Sequence, residues 1–142
     1  MATIYSEQTL DVPAEVAWDA LRRVGQAHEL FAPVLVDGQL DGDVRQLQFS
    51  NGMTVRERII CIDERRRRVA YTVLDEMFEH HSASMQIVAE GSTTCRLVWI
   101  SDFLPDAMEE AISPLVSEGT RAFVANITRA NAQGFSHNLC CE

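Results

Sequence analysis

The sequence has no lysine. All 12 of its basic side chains are arginine, set against 21 acids for a formal charge of −9. With a pI near 4.8 it lacks the basic face that nucleic-acid phosphates demand, so no nucleic-acid partner is expected. It also lacks any apolar run approaching the roughly 20 residues of a membrane-spanning helix. The opening "MATIYSEQTLDV" is polar and alternating, unlike the basic-then-apolar pattern of a secretory signal. A soluble, cytoplasmic protein is expected. No serine or cysteine stands in a nucleophile motif, and there is no glycine-rich phosphate loop. His80 and His81 are adjacent and so point to opposite faces of a strand, and no second ligand pair has metal spacing. Neither a metal nor a cofactor is expected. Internal repeats, linkers and low-complexity stretches are absent.

What is present is one domain's worth of chain, residues 1–142, with 46% hydrophobic residues, enough for a real core. Of its four cysteines, Cys61 and Cys95 lie in strand-like runs and are expected to act as small core residues. Cys140 and Cys141 end the chain as "LCCE", an exposed, oxidation-prone tail that does not fit a prenylation box. "RRRR" (Arg65 to Arg68) falls where a hairpin should turn and reads as a solvated tip, the alternative being a contact for an anionic partner.

"TIYSEQTLDV" alternates as a first strand, with Ile4, Ser6, Gln8 and Leu10 on one side. "PAEVAWDALRRVG" follows as a helix, with Pro13 suited to its first turn and Gly25 to its stop. Val16, Ala17, Ala20, Leu21 and Val24 form its apolar stripe. "QAHELFAP" is a second short helix closed by Pro33. Strands then follow one another: "VLVDGQL", "VRQLQF", "MTVRERIICI", "RVAYTVL", "SASMQIVA" and "TCRLVWISDF". The turns "DGD", "SNG", "DERRR", "DEMFE" and "EGST" separate them. A long helix from Asp106 to about Ala132 closes the chain, with Asp106 and Glu109 at capping-box spacing. Met108, Ile112, Leu115, Val116, Gly119, Phe123, Ile127 and Ala130 form its stripe, and Pro114 is expected to kink or restart it. The fold class is α+β. A curved antiparallel sheet of about seven strands wraps around the long last helix, leaving a natural cavity between them.

One residue breaks the strand pattern. In "VRERIIC", Val55, Ile59 and Cys61 share a face, and Glu57 sits among them. A carboxylate on an apolar face must be paired, neutralised or in contact with a wet cavity. The neighbouring turn decides which. As a three-residue loop with Gly52 left-handed, "SNG" pairs Leu47 with Val55 and sets Arg45 directly across from Glu57. A two-residue loop would turn Leu47 and Phe49 outward, against hydrophobic consistency. A five-residue turn from Asp63 to Arg67 then places Tyr71 opposite Ile59 and Val73 opposite Glu57. The inward sets become Val69, Tyr71 and Val73; His81, Ala83, Met85 and Ile87; and Cys95, Leu97, Trp99, Ser101 and Phe103. That wall is apolar and aromatic, interrupted by Arg45, Glu57, Tyr71, His81 and Ser101, as a small-molecule site would be.

The chain resembles the START-like, or SRPBCC, superfamily with the helix-grip fold, in its polyketide cyclase/dehydrase and lipid transport branch. The resemblance rests on "VPAEVAWDAL", "DGDVRQLQFSNGMTVRERI", "IDERRRRVAYTV", "TTCRLVWISDF" and the long last helix, and covers nearly the whole chain. These are signatures of fold, so function needs its own argument. The plant abscisic-acid receptors of the same superfamily share the pattern at Arg45, Glu57 and Arg58. That likeness implies that Glu57, Tyr71 and His81 face a ligand cavity. Yet "SNGMT" stands where those receptors have a longer gating loop, "DEMFEH" replaces their latch, and no lysine occurs near Phe31 to Val36. The departures argue against a hormone receptor.

The expected function is binding of a small hydrophobic or aromatic molecule, lipids included, without catalysis. Its expected lining is Arg45, Leu47, Phe49, Glu57, Tyr71, His81, Met85, Trp99, Phe103, Phe123 and Ile127. The alternative is a cyclase-, dehydratase- or isomerase-type enzyme with Glu57 as general acid or base, assisted by Tyr71 or His81. Against these stand a purely structural Arg45–Glu57 pair and plain core packing for Tyr71, Trp99 and Phe103. A second copy of the chain is an open option as partner, as is a module docking through the outward Val98 and Ile100.

Overall fold

The computed structural model describes the backbone of residues 2–141 and the side chains of residues 2–133. The side chains of Cys140 and Cys141 fall outside the described residues. The elements run β1 (Ala2–Leu10), α1 (Ala14–Leu21), α2 (Ala27–Leu30), β2 (Leu35–Asp41), β3 (Val44–Phe49), β4 (Thr54–Asp63), β5 (Arg68–Val73), β6 (His80–Ala89), β7 (Cys95–Leu104) and α3 (Glu109–Cys141). The strands form one open sheet in the order β1-β7-β6-β5-β4-β3-β2. Every pairing is antiparallel. Successive strands from β2 to β7 are joined by hairpins, and β1 closes the far edge beside β7. α1 and α2 carry the chain from one edge of the sheet to the other, and α3 packs over the same face. This is the expected α+β helix-grip fold.

The hairpin registers follow from the turns. Gly52 has a φ of 92°, a left-handed conformation that costs glycine nothing. The Phe49 N–H donates to the Met53 carbonyl at 2.8 Å, closing the three-residue loop. Leu47 then faces Val55, and Arg45 faces Glu57. Across the next pairing Tyr71 meets Ile59 and Val73 meets Glu57. The turn between β4 and β5 is shorter than expected, because Asp63 pairs with Arg68 and the register shifts between Ile59 and Cys61. The shift is a bulge at Ile60, which absorbs the residue the shorter turn does not use. It also moves Cys61 off the core face. Cys61 is exposed, whereas Cys95, on unbroken β7, is wholly buried as expected.

The helix boundaries differ from the sequence pattern, and α3 runs on to Cys141, past the expected end near Ala132. α1 stops at Leu21 and gives way to a 3-10 turn over Val24–Gln26, so Gly25 lies inside that turn instead of ending α1. α3 does not restart at Pro114; it runs unbroken from Glu109, with the proline in its second turn. So near the start of a helix, proline removes few intrahelical hydrogen bonds. A 3-10 turn over Asp106–Met108 leads into it. Along α3, Val116, Thr120, Phe123 and Ile127 are buried at helical spacing, while Ala130 is exposed. Asn126 fastens this helix to the rest, its amide donating to the Leu30 carbonyl at 2.9 Å and the Ala32 carbonyl at 2.8 Å. Those carbonyls lie at and just after the end of the short α2 and have no further turn of helix to bond.

Candidate functional site

The buried acid does have its expected partner. Arg45 and Glu57 are 6% and 7% exposed, and this depth decides their energetics, since a lost partner would leave a charge in low dielectric. Arg45 Nε donates to Glu57 Oε1 at 2.9 Å, and Nη2 reaches the same oxygen at 2.8 Å. Its Nη1 donates to the Val24 carbonyl at 3.1 Å. The early end of α1 matters here: the 3-10 turn leaves that carbonyl free to accept. The guanidinium also lies over the Tyr71 ring, with Cζ 5.3 Å from the centroid. The hydrogen bond and the second ion-pair contact to the Glu57 carboxylate both fall on Oε1, and Oε2 receives no hydrogen bond among the described residues.

Tyr71 is held from the opposite side. Trp99 Nε1 donates to the Tyr71 hydroxyl oxygen at 3.0 Å. Burial, with the Glu57 charge adding to it, pushes the Tyr71 phenol well above its ordinary range, so it stays protonated. On neighbouring β6, His81 Nδ1 accepts the Val73 N–H at 3.1 Å, which puts the imidazole proton on Nε2. Its ring lies 4.8 Å from Phe78 and 5.9 Å from Tyr71, centroid to centroid. Burial, reinforced by His80, lowers the His81 pKa to about 4, so the imidazole is neutral at physiological pH. His80 is exposed on the other face, as strand alternation requires. No group of three His, Cys, Asp or Glu among the described residues is placed to hold a metal.

These groups border two small chambers between the sheet and α3. The outer one, about 80 Å³, is walled by Glu57, Tyr71, His81 and Ser101 and closed by Met53, Met77, Phe78, Ile112 and Leu115. The inner one, about 50 Å³, lies against Phe31, Arg45, Leu47, Met85 and Gly119. Phe49, Glu57, Tyr71, Trp99 and Leu115 border both. Of the residues expected to line the cavity, Arg45, Leu47, Phe49, Glu57, Tyr71, His81, Met85 and Trp99 do so. Phe103, Phe123 and Ile127 do not. Phe103 is sealed against Phe78, with ring centroids 5.4 Å apart, and Phe123 against Phe31 at 5.5 Å. Ile127 is one turn further along α3 and borders a different concavity, an open groove of about 680 Å³ between α1, α2 and α3. That groove is larger, but its charges are at the surface, and Asp19 and Arg23 pair with each other at 3.7 Å. Convergent buried polar groups mark the interior chambers as the better candidate.

Sequence reading missed part of the wall. Met77 and Phe78 belong to "DEMFE", which reads as a turn; two large apolar side chains amid acids were the available signal. Gly119 reads as one more stripe residue, but a Cβ there would lie 3.2 Å from the Trp99 indole, so the glycine is what lets helix and tryptophan approach. Phe31 packs against the same indole, its ring tilted and 5.7 Å away centroid to centroid.

Comparison with known proteins agrees with this architecture. Over residues 1–139 the chain matches the family described as Polyketide cyclase / dehydrase and lipid transport. None of the curated proteins matches it. Among solved structures, protein XoxI from Bacillus cereus is 19% identical with a TM-score of 0.81, covering 89% of this chain and 96% of that one. A Thermobifida fusca protein is 22% identical with a TM-score of 0.74, covering 91% and 95%. Norcoclaurine synthase from Thalictrum flavum, solved in complex with dopamine and hydroxybenzaldehyde, is 15% identical with a TM-score of 0.73, covering 93% and 87%. At such identities the likeness is one of fold, a fold that in norcoclaurine synthase holds ligands. Matched along almost its full length, this chain belongs to the polyketide cyclase/dehydrase and lipid transport family.

Proposed function

We propose that the protein binds a small, mainly apolar molecule between the sheet and α3 and performs no reaction on it. The observation that carries this reading is the state of the polar groups in an otherwise apolar wall. Among the described residues Glu57 is the one acid bordering the two chambers, and Arg45 holds it through two contacts to a single oxygen. Acid–base chemistry requires a positioned group that exchanges its proton near the working pH. Here the nearest candidate, His81, spends Nδ1 on a backbone N–H and is neutral, and Tyr71 retains its proton. Groups in such states orient a ligand by hydrogen bonding. An enzyme with Glu57 as acid or base would first have to break the pair with Arg45, which makes that alternative the weaker one.

The test uses Trp99, one of the chain's two tryptophans, which borders both chambers. Trp18, on α1, is hydrogen-bonded to Glu64 at 2.9 Å and stands apart from them, so a Trp18→Phe variant isolates the Trp99 signal. An organic extract of the purified protein, analysed by mass spectrometry, should yield a co-purified apolar molecule. Adding it back should shift Trp99 emission and raise the melting temperature, because a ligand bound only by the folded state stabilises it by mass action. An empty extract, with no Trp99 response to any apolar compound, would remove the binding reading.

A further inference from the structure

Three buried groups around the outer chamber have hydrogen-bonding capacity that the protein does not use. Glu57 Oε2 accepts nothing among the described residues, because both Arg45 contacts go to Oε1. The Tyr71 hydroxyl accepts from Trp99 Nε1, but its own proton has no acceptor there. Ser101, 3% exposed, makes no side-chain hydrogen bond among the described residues. Buried polar groups are nearly always partnered, so unspent ones that border a cavity describe the ligand.

The charges narrow the choice. A carboxylate or phosphate on the ligand would face the Glu57 carboxylate, while the Arg45 charge is already offset by Glu57 and each of its nitrogens already holds a contact. An ammonium would lie close to the Arg45 guanidinium in a low-dielectric interior that already holds one neutralised pair. The ligand is therefore neutral. Since Oε2 can only accept, the ligand must donate. The wall is built from rings, those of Phe49, Tyr71, Phe78, His81 and Trp99, which favours a flat partner that stacks edge or face against them. Size sets the last limit. The chambers measure about 80 and 50 Å³. A cavity of roughly 150 Å³ holds a benzene molecule, and the two chambers joined fall just short of that, so a single ring that spans both is the upper limit.

We infer that the site is built for a neutral single-ring phenol whose hydroxyl donates to Glu57 Oε2, with the Tyr71 hydroxyl as the complementary donor. The inference rests on the binding reading above and narrows it to one ligand class. Fatty acids and other anionic lipids fall outside that class.

Calorimetric titration of the full chain with phenol, toluene and benzoate tests this. Toluene has nearly the shape of phenol and is the easier to take out of water, so a site without a free acceptor prefers toluene. The expected result is phenol bound about tenfold or more tighter than toluene, the worth of one hydrogen bond to a charged acceptor, with no binding of benzoate. Tyr71→Phe should keep toluene binding and reduce the preference for phenol; an unchanged preference overturns the Tyr71 assignment. Equal binding of phenol and toluene, or binding of benzoate, overturns the inference and leaves the binding reading standing. If all three fail while the two-ring dye 8-anilinonaphthalene-1-sulfonate shifts Trp99 emission, the size and charge limits are overturned and the binding reading survives. If none of the four binds, the inference is overturned, and the binding reading is decided by the extract and the Trp99 response described above.

Discussion

Replacing Arg45 by methionine keeps most of the side-chain length while removing the charge, and it should be among the most damaging single changes in the protein. The substitution leaves Glu57, 7% exposed, without either contact to its Oε1. It also takes the donor from the Val24 carbonyl and the cation from above the Tyr71 ring. Breaking a buried ion pair from one side costs about 3–5 kcal/mol, because the abandoned charge stays desolvated. A domain of this size has about 5–15 kcal/mol in total. With a urea m-value of about 2 kcal/mol per M, the unfolding midpoint should fall by about 1.5–2.5 M. The double variant Arg45→Met/Glu57→Met removes both charges, and two apolar side chains of similar volume often replace a buried pair without loss. Its midpoint should return to within about 1 M of the parent. Equilibrium urea unfolding, followed by circular dichroism at constant pH and salt, reads all three proteins. A loss under about 1 kcal/mol for Arg45→Met would refute the reasoning. So would a double variant no more stable than the single one, since the damage would then come from lost packing and not from an orphaned charge.

Three further outcomes follow from the same geometry. His81 has a folded-state pKa lowered to about 4, against 6.5 unfolded, by burial first and His80 second. Between those values the unfolded chain takes up a proton that the folded one refuses, so this contribution is full above pH 6.5 and is lost as pH falls toward 4. After discounting for the partial exposure of the ring, the loss is about 1–2 kcal/mol; His81→Phe should flatten that limb of the stability–pH curve, and an unchanged slope would contradict the assignment. Gly119→Ala gains about 1 kcal/mol of helix propensity but forces the Trp99 indole, 3.2 Å from the new Cβ, toward the chambers. Stability should change by less than about 1 kcal/mol while ligand affinity falls at least severalfold; unchanged affinity would mean that Trp99 does not shape the site. Finally, a thiol reagent followed by peptide mass mapping should label exposed Cys61 in the folded protein and spare Cys95, whose thiol is buried and pushed up in pKa by that burial. Labelling of Cys95 without unfolding would contradict its place in the core.

What could be read from the sequence alone is what short-range geometry determines. Side chains alternate along a strand with a period of two, and a turn fixes the register of the strands it joins. "SNG" with its left-handed Gly52 was therefore enough to place Arg45 across from Glu57, and the same alternation sorted inward from outward residues on the three strands that follow. The tertiary structure decided what depends on residues distant in the chain. Whether Phe103, Phe123 and Ile127 line a cavity or fill the core is settled by how closely α3 approaches the sheet, and that approach is set by Gly119 against Trp99 and by Asn126 on the carbonyls after α2. The bulge at Ile60 turned Cys61 to solvent, although its strand pattern pointed inward. Met77 and Phe78 sit in a turn by every local signal, yet they close the outer chamber because the neighbouring α3 leaves an apolar gap for them. Local pattern specifies the direction of each side chain from the sheet; the volume left between sheet and helix is a small difference between large packed bodies, and only their assembly determines it.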